Sequence, residues 1–360
     1  MINTLYLHIG IYKTGTSALQ HFCIENQNIL LNQFGICYPE FGRNPKGIGA
    51  HHYFSMPVSP SRPDGYRGRS FSENCLCIQE EAIRKEAKHL LISSEAFCKV
   101  SDLSLLAPIL KLAQRIKVIV YLRRQDEFLE AAYSQKVKEG YKGDIQEIER
   151  DLISNDRLDY YRLCRRWGSF IGEENLAVRI YDSGRFRSTE LYQDFLRCLD
   201  ISVDGRFQVP GNRINVSLSR EAIEFKRLFN IVGMPERVDR ALINILEHYS
   251  MMSGSDGGCL SRPERVRILK TFEASNAKLG KYYVKGSPIS PFPSLENTPD
   301  RNNQEDNGTY SVWQYVKDNN QSLYNELVRI VGAVLNAQDE KNKQVAAAAH
   351  SLWTGTRKQF

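Results

Sequence analysis

The chain has 360 residues, 42% of them hydrophobic and 25% charged, and its 48 basic and 42 acidic side chains give a net charge of +6. This composition is too apolar for a disordered protein and too poor in glycine and proline for a fibrous one. It contains no apolar run of the roughly 18 residues that cross a membrane, and its charge is too small for a dedicated nucleic-acid binder, so a soluble globular enzyme or binding protein is expected.

The first thirty residues predict a strand, a loop and a helix. Residues 5–9, Leu-Tyr-Leu-His-Ile, alternate and then stop at Gly10, as a buried strand does. From Ser17 to Leu31 the apolar side chains recur at helical spacing. A strand, a glycine-containing loop and a helix in this order are typical of the start of a parallel α/β domain.

Three more strands are predicted, at His89–Ser93, Lys117–Leu122 and Leu176–Tyr181. Residues 35–75 show no regular period, which is typical of a functional segment at that length, and a charged helix around residues 80–88 follows them. Amphipathic helices are expected from residue 126 and over 189–199.

The rest of the chain is predicted to be mostly helical, with helices over 219–232, 236–249 and 263–279. Residues 286–308 have the composition of a polar linker, and 309–360 are expected to form an accessory tail with a helix at 322–337. The predicted fold class is α/β, with a parallel sheet flanked by helices in a domain over 1–285 and a helical C-terminal half and tail.

The segment GIYKTGTS, from Gly10 to Ser17, carries the most informative motif. Backbone N–H groups between a strand and a helix N-terminus form a cradle for phosphate. In the triphosphatase pattern G-x-x-x-x-G-K-[ST] both glycines and the final hydroxyl are in register, but Thr16 occupies the lysine position and the lysine lies at position 13. The loop therefore keeps the cradle and relocates its positive charge.

The segment LHIGIYKTGTSALQ resembles the 5′-phosphosulfate loop of sulfotransferases that use 3′-phosphoadenylyl sulfate (PAPS), especially bacterial carbohydrate sulfotransferases. The resemblance covers roughly residues 3–285 in separate islands. It implies a P-loop fold in which the 5′-phosphate and sulfonate of PAPS are held by Lys13, Thr14, Gly15, Thr16 and Ser17.

A second match lies in KVIVYLRRQDEFLEAAYSQ. The family places an arginine at the end of this strand, here Arg123, and a serine eight residues later on the 3′-phosphate of the donor. The serine position is Ala131 in this chain, and Ser134 lies one helical turn further on the same face. The resemblance therefore implies Arg123 as a donor-binding residue, with Ser134 in place of the family serine.

The segment LLISSEAF resembles the part of related sulfotransferases that carries a glutamate as general base, which implies Glu95. The stretch NRINVSLSREAIEFKRLFN is similar to the bacterial family and implies that Arg213 approaches the donor. A sulfuryl group carries one formal negative charge, so one lysine and a ring of amides can stabilise its transfer without a metal. The predicted catalytic residues are therefore Lys13 and Glu95.

The predicted reaction moves a sulfonate from PAPS to a hydroxyl of a saccharide or glycolipid and releases adenosine 3′,5′-bisphosphate, with no metal. The acceptor is expected to enter over residues 35–75 and the 139–144 loop. One alternative is a P-loop kinase, which would need a magnesium-binding carboxylate. The other is a non-catalytic binder of anionic glycans or nucleotides, which Ala131 favours.

Other residues in the 35–75 segment leave alternatives open. His51 and His52 either bind the acceptor, replace Glu95 as the base, or do neither. The basic side chains Arg62, Arg67 and Arg69 either hold an anionic glycan or belong to a solvated loop.

The remaining expectations concern packing, metals and location. Arg124 is expected at the surface, and the aromatic face of Tyr160, Tyr161 and Trp167 in the core. The eight cysteines are scattered without paired zinc spacing, which favours reduced thiols and no metal site. The N-terminus lacks the pattern of a signal peptide, so a cytoplasmic protein without nucleic-acid partners is expected, with peripheral membrane contact left open.

Overall fold

The fold is given by a computed structural model, which describes residues 2–44, 49–182, 186, 189–202, 205–210, 218–253, 258–284, 290–295 and 308–335. The chain divides into two compact units. The first comprises Met1–Gln125, Ile153–Ile214 and Lys270–Ser294, and the second comprises Asp126–Leu152, Asn215–Leu269 and Leu295–Phe360. Of the linker expected at 286–308, residues 290–295 and 308 are described, and Phe292 among them is buried; the other residues of this range lie outside the described residues, and the expected domain bounds stay a prediction.

The first unit contains a five-stranded sheet in which every neighbouring pair is parallel. Its strands are β1 (Ile2–His8), β2 (Ile36–Cys37), β3 (His89–Ser93), β4 (Ala113–Arg123) and β5 (Leu176–Tyr181), in the order β2-β3-β1-β4-β5. The predicted α/β fold class is confirmed. The central strand, β1, lies between β3 and β4, so the loop after β1 has a strand end on each side.

Fourteen helices occur in the described residues, together with 3₁₀ helices at Met56–Val58, Phe97–Lys99, Leu103–Lys111 and Glu173–Asn175. They are α1 (Thr16–Glu25), α2 (Gln27–Phe34), α3 (His52–Ser55), α4 (Phe71–Arg84), α5 (Gln125–Lys138), α6 (Ile145–Ser154), α7 (Tyr160–Ile171), α8 (Glu190–Cys198), α9 (Arg220–Val232), α10 (Glu236–Ser253), α11 (Arg262–Thr271), α12 (Glu273–Tyr283), α13 (Gly308–Asn319) and α14 (Gln321–Leu335).

Both faces of the sheet are buried. Side chains alternate along a strand, so Tyr6 points to one face, where it belongs to a core cluster with Phe22 of α1 and Phe195 of α8. Leu5 and Leu7 point to the opposite face and are also fully buried. A parallel sheet covered on both faces requires apolar strands, which explains why the strand predictions from apolar runs agree with β1, β3, β4 and β5.

The first helix is shorter than predicted, because Asn26 separates α1 from α2. Its backbone leaves the helical region, with φ −104° and ψ 12°. The buried side chain donates to the carbonyl of Phe22 at 2.9 Å and to that of Gln208 at 2.8 Å, and accepts from the Gln208 N–H at 2.8 Å. A partner 182 residues away therefore holds the break. The predicted single helix over 263–279 is likewise two helices, α11 and α12, which meet at Phe272.

Residues 35–75 contain more regular structure than their composition indicates. They include β2, α3 and the start of α4. Helix α4 begins earlier than predicted because Ser70 and Glu73 form a capping box, in which the Glu73 N–H donates to the Ser70 hydroxyl and the Ser70 N–H to the Glu73 carboxylate. This S-x-x-E pattern is a signal of a helix start.

The expectation that Arg124 lies at the surface is wrong. Its side chain is buried, with 3% of its surface exposed, and Nη1 donates to the carbonyl of Pro293 at 3.2 Å. A neighbouring backbone carbonyl therefore takes up part of its donor capacity. The core prediction for Tyr160 and Trp167 is confirmed, because both are fully buried, while Tyr161 is half-buried.

The second unit is helical. Trp313 of α13 packs edge-on against Phe225 and Phe229 of α9. Arg265 forms ion pairs with Asp126 and Glu130, each at 2.7 Å. In the residues that the structure describes, no helix is long and apolar enough to cross a membrane. All eight cysteines are free.

Candidate functional site

The candidate site is the loop from Gly10 to Ser17, at the carboxyl end of β1. In sequence order the chain places β2 and β3 on one side of β1 and then β4 and β5 on the other. Ligands of open α/β sheets bind where the strand order reverses in this way, outside the carboxyl ends of the strands. The sheet topology therefore puts the predicted phosphate loop at the position where this class of fold binds its ligands.

The backbone of the loop is bent at three residues with left-handed conformations. Gly10 has φ +44°, Lys13 φ +63° and Gly15 φ +77°. Left-handed residues within a turn produce concave arrays of N–H groups that bind anions. Gly15 also precedes α1, whose first turn has no side-chain cap, so the free N–H groups of that helix are available to an anion. Lys13 is a non-glycine residue in this conformation, which is uncommon and typical of functional sites.

Two threonine hydroxyls hold the bend of the loop. Thr14 Oγ1 donates to the carbonyl of Ile11 at 2.6 Å, and Thr16 Oγ1 donates to the same carbonyl at 3.3 Å. Both threonines are buried, whereas Ser17 is half-buried. The hydroxyls of Thr14 and Thr16 thus fix the conformation of the loop, and the donor contacts expected of Thr14, Thr16 and Ser17 stay predictions.

Replacing Gly15 by alanine is expected to weaken anion binding and to lower stability. A Cβ at this residue would lie 2.6 Å from Cδ2 of Leu191 and 3.1 Å from Cε2 of Tyr181, so either the loop or these side chains must shift. Gly65 is a matched control, because it has φ +72° and nothing within 4 Å of an added Cβ. Both variants strain the backbone by about 1–2 kcal/mol.

Gly15→Ala alone should also weaken adenosine 3′,5′-bisphosphate binding, by about tenfold or more, since a shift of about 1 Å in a preorganised site costs that much or more. Calorimetry gives the affinity, and the midpoint of thermal unfolding gives the stability. Equal losses in Gly15→Ala and Gly65→Ala would show that the close approach at Gly15 has no role in binding.

Arg123 lies at the end of β4 and reaches the loop. Its Nη1 donates to the carbonyl oxygen of Lys13 at 3.2 Å, and its guanidinium carbon lies 5.8 Å from the ring centre of Tyr181, at the end of β5. Bonding to a carbonyl leaves the guanidinium its positive charge. The structure thus brings the Arg123 guanidinium to the backbone of Lys13 in the loop.

Glu95 follows β3 and packs against the loop from the other side. A Cβ on Gly10 would lie 3.1 Å from Cγ of Glu95. The carboxylate is buried, with 6% of the residue exposed, and its Oε2 accepts from Nε2 of Gln20 at 3.3 Å. His52 contacts the same carboxylate oxygen, since its Nε2 lies 3.5 Å from Oε2 of Glu95. The strands on either side of β1 therefore each contribute a charged side chain to this loop.

A buried polar network supports Glu95. Gln20 Nε2 also donates to the hydroxyl of Ser93 at 3.1 Å, and that hydroxyl lies 2.9 Å from Nδ1 of His8. Burial lowers the pKa of His8 from 6.5 to about 3, so the ring is neutral at pH 7. Glu95 is thus held by neutral hydrogen-bonding groups on this side, an arrangement that fixes a carboxylate in one orientation.

The two histidines of the 35–75 segment have different environments. His51 is fully buried, accepts from the Ser93 N–H at Nδ1 (3.2 Å), and donates from Nε2 to the carbonyl of Pro39 (2.9 Å). Burial lowers its pKa to about 3, and both ring nitrogens are occupied, which favours a structural role for His51. His52 bonds to Ser94 through Nδ1 at 3.1 Å and faces Glu95 through Nε2.

Several predicted residues are not brought to the loop by any contact described. Ser134 is a buried residue of α5 in the second unit, and its role stays a prediction. Arg213 lies outside the described residues. The basic side chains of the 35–75 segment that were considered for glycan binding are exposed, namely Arg62, Arg67 and Arg69, and their role also stays a prediction.

The residues that support Glu95 were not predicted from the sequence. Gln20 is a fully buried polar residue between the apolar positions Leu19 and Phe22 of α1. Ser93 ends β3 after the apolar residues 90–92, and Ser94 follows it. A polar residue on an apolar helix face and a hydroxyl pair at a strand end were the available signals, but nothing in the sequence indicates that they meet.

A cavity of about 420 Å³ lies elsewhere in the first unit, beside the amino-terminal half of β5. Its lining includes Lys117 and Arg179. Lys117 is paired with Asp200 at 2.7 Å, and Arg179 bonds to Asp194 at 2.9 Å. These carboxylates offset Lys117 and Arg179, and the third basic residue of the lining, Arg197, is exposed.

Comparison with known proteins gives few matches. No family model matches the chain. An uncharacterised protein of Archaeoglobus fulgidus is 27% identical over 198 residues, which cover 54% of this chain and 53% of that protein; the match therefore spans about half the length of that relative. Among solved structures, a sulfotransferase from Alicyclobacillus acidocaldarius is similar over 69% of this chain and 96% of its own, with 14% identity and a TM-score of 0.39.

Proposed function

We propose that this protein is a sulfotransferase that moves a sulfonate from PAPS to a hydroxyl of a saccharide or glycolipid, without a metal. The observation that carries the proposal is the convergence of three strand ends on one loop. Arg123, at the end of β4, bonds to the Lys13 carbonyl, while Glu95, after β3, packs against Gly10. A bent anion cradle with the guanidinium of Arg123 at one strand end and the carboxylate of Glu95 at another suits transfer from an anionic donor to a hydroxyl.

In this proposal the donor is held by the loop and by Arg123. The N–H groups of residues 14–17 and the side chain of Lys13 bind the 5′-phosphate and sulfonate, and Arg123 binds the 3′-phosphate, with Ser134 as a further contact. The fit rests on the uncapped first turn of α1 and on the left-handed loop backbone, since both leave N–H groups to an anion.

The transfer itself needs few groups. The acceptor oxygen attacks the sulfur, Glu95 takes the proton of that hydroxyl, and the bond from sulfur to the bridging oxygen of the donor breaks. Lys13 neutralises the charge that grows on this oxygen as adenosine 3′,5′-bisphosphate leaves. The acceptor oxygen and the leaving oxygen must be in line with sulfur, so a rigid loop that fixes the donor contributes a large part of the rate.

Isothermal titration calorimetry tests the donor assignment. We expect adenosine 3′,5′-bisphosphate to bind with a Kd in the micromolar range, about −8 kcal/mol, equally well with Mg²⁺ or with EDTA. ATP with Mg²⁺ should bind at least about tenfold more weakly. A preference for ATP with Mg²⁺ would favour the kinase alternative and contradict the proposal.

Turnover separates an enzyme from a binder. Incubation of the protein with ³⁵S-labelled PAPS and a panel of saccharides and glycolipids should transfer the label to at least one acceptor and release the bisphosphate in equal amount. Tight binding of the bisphosphate with no transfer to any acceptor would favour the non-catalytic binder.

A further inference from the structure

A group of cations beside the loop has no role in the proposed chemistry. Tyr12 precedes Lys13 in the loop, and two cations of this group contact its half-buried ring. The ammonium nitrogen of Lys99 lies 4.6 Å from the centre of the ring, and the guanidinium carbon of Arg157 lies 5.8 Å from it. Cation–π contacts of this kind hold charged groups in place, so both cations are fixed at one residue of the loop.

Lys99 and Arg157 also act electrostatically on Cys98, which bonds to the backbone of Glu95. The thiol of Cys98 donates to the backbone carbonyl of Glu95 at 3.0 Å. Burial raises the pKa of this thiol to about 11, while Arg157, Lys99 and Arg166 act on it in the opposite direction. The thiol therefore stays protonated at pH 7. Three positive side chains are within electrostatic reach of a residue three positions after the proposed base.

Arg166 adds a partly desolvated charge to this group. Its Nε is buried and, among the residues that the structure describes, has no hydrogen-bond partner. Burial is the main cause that lowers the pKa of its guanidinium. A buried cation with an unused donor is stabilised when an anion binds nearby, because the local dielectric constant is low.

We propose that Lys99 and Arg157, supported by Arg166, form a subsite for an anionic group on the acceptor, so that the acceptor is an acidic saccharide. This inference rests on the proposed sulfotransferase function. Both cations contact the ring of Tyr12 in the donor loop. Cys98, which lies next to Lys99 in the chain, bonds to the backbone of Glu95. A carboxylate or sulfate group held there would place a neighbouring sugar hydroxyl near Glu95. The subsite thus selects acceptors by charge, while Lys13 and Arg123 bind the donor.

The test measures binding of oligosaccharides to protein saturated with adenosine 3′,5′-bisphosphate. The probes are a hyaluronan hexasaccharide, which carries carboxylates, a chondroitin sulfate hexasaccharide, which also carries sulfates, and chitohexaose, which is neutral. Wild-type protein is expected to bind at least one acidic probe more than tenfold tighter than chitohexaose. Because contacts to charged groups are among the stronger ones, the double variant Lys99→Ala/Arg157→Ala should weaken that binding by about 100-fold and leave bisphosphate affinity unchanged.

The matched control is Arg84→Ala/Lys111→Ala, which removes the same charge from exposed residues. Arg84 ends α4 before β3, and Lys111 precedes β4. Both therefore lie near the amino ends of strands, whereas the proposed site lies at the carboxyl ends. This control should bind the acidic probe as wild type does. Equal losses in the two double variants would reveal a general effect of charge and overturn the subsite.

Two other results would also overturn it. If no acidic probe binds more tightly than chitohexaose, the site does not select anions. If Lys99→Ala/Arg157→Ala weakens the bisphosphate as much as the oligosaccharide, the cations belong to the donor site. Failure of the proposed function has a different signature: wild-type protein would either prefer ATP with Mg²⁺ to the bisphosphate before any acceptor is added, or bind the bisphosphate and transfer no label from PAPS to any acceptor.

Discussion

Replacing Lys13 by alanine is expected to lower kcat for sulfonate transfer by about 10³-fold or more, which is about 4 kcal/mol of transition-state stabilisation. The reason is that Lys13 is proposed to neutralise the charge developing on the leaving oxygen. Because this charge exists chiefly in the transition state, the loss should be larger in kcat than in donor affinity. Affinity for adenosine 3′,5′-bisphosphate should also fall, by about tenfold, since the same ammonium binds the product.

The backbone at Lys13 makes this substitution a clean test. Its φ of +63° is unfavourable for lysine and alanine alike, so stability should change little. The Arg123 bond goes to the Lys13 carbonyl, which alanine retains. Activity is measured as release of bisphosphate with the best acceptor of the panel, and Lys111→Ala, at an exposed residue, removes one positive charge elsewhere.

Lys13→Arg completes the series. It keeps the positive charge but spreads it over a larger planar group, so we expect partial activity, between that of wild type and that of Lys13→Ala. Activity within a factor of three of wild type in Lys13→Ala, in a protein that still binds the bisphosphate, would remove Lys13 from the catalytic role.

The strands could be predicted from the sequence because each is a short apolar run in a sheet buried on both faces. The predicted strands at residues 89–93 and 176–181 coincide with β3 and β5, while β4 extends four residues further towards its amino end. The two-residue strand β2 is too short to have a period. Its place at the edge of the sheet depends on pairing with β3, which local sequence does not encode.

The helix boundaries also depend on contacts that local sequence does not encode. Residues 17–31 have one apolar stripe throughout, so periodicity predicts a single helix. The break at Asn26 depends on hydrogen bonds with the backbone of Gln208. A residue that leaves the helical conformation for a distant partner cannot be recognised from its neighbours in the sequence.

The site could be predicted only as far as its motifs extend. Residues 10–17 form one contiguous pattern, so the strand, loop and helix of the anion cradle follow from it. The contacts of Arg123 with the Lys13 carbonyl, and of Glu95 with Gly10, depend on the order of strands in the sheet. Tyr12, Lys99 and Arg157 have no common motif, and only the folded chain brings them together.

Replacing Glu95 by glutamine is expected to lower kcat by about 10²–10⁴-fold, the range for loss of a general base. Glutamine has nearly the same shape, so packing against Gly10 should persist. The amide carries no negative charge and cannot accept the proton of the acceptor hydroxyl. Bisphosphate affinity should stay within about threefold of wild type, because Glu95 is proposed to act on the acceptor and not on the donor.

His52 provides the decisive comparison for this assignment. Its Nε2 lies 3.5 Å from Oε2 of Glu95, and its Nδ1 bonds to Ser94, so the two side chains form a pair in which either is a candidate for the base. If Glu95 is the base and His52 positions it, His52→Gln should lose about tenfold in kcat, well short of the loss in Glu95→Gln. A larger loss in His52→Gln would move the base to the histidine.

The double variant Glu95→Gln/His52→Gln distinguishes cooperation from independent roles. If the histidine acts only through the carboxylate, removing it after Glu95 should change kcat little, so the double variant should match Glu95→Gln. Losses that multiply would mean that each side chain contacts the acceptor by itself. Together with the Lys13 series, in which bisphosphate affinity falls as well as kcat, these variants assign one side of the loop to the donor and the other to the acceptor.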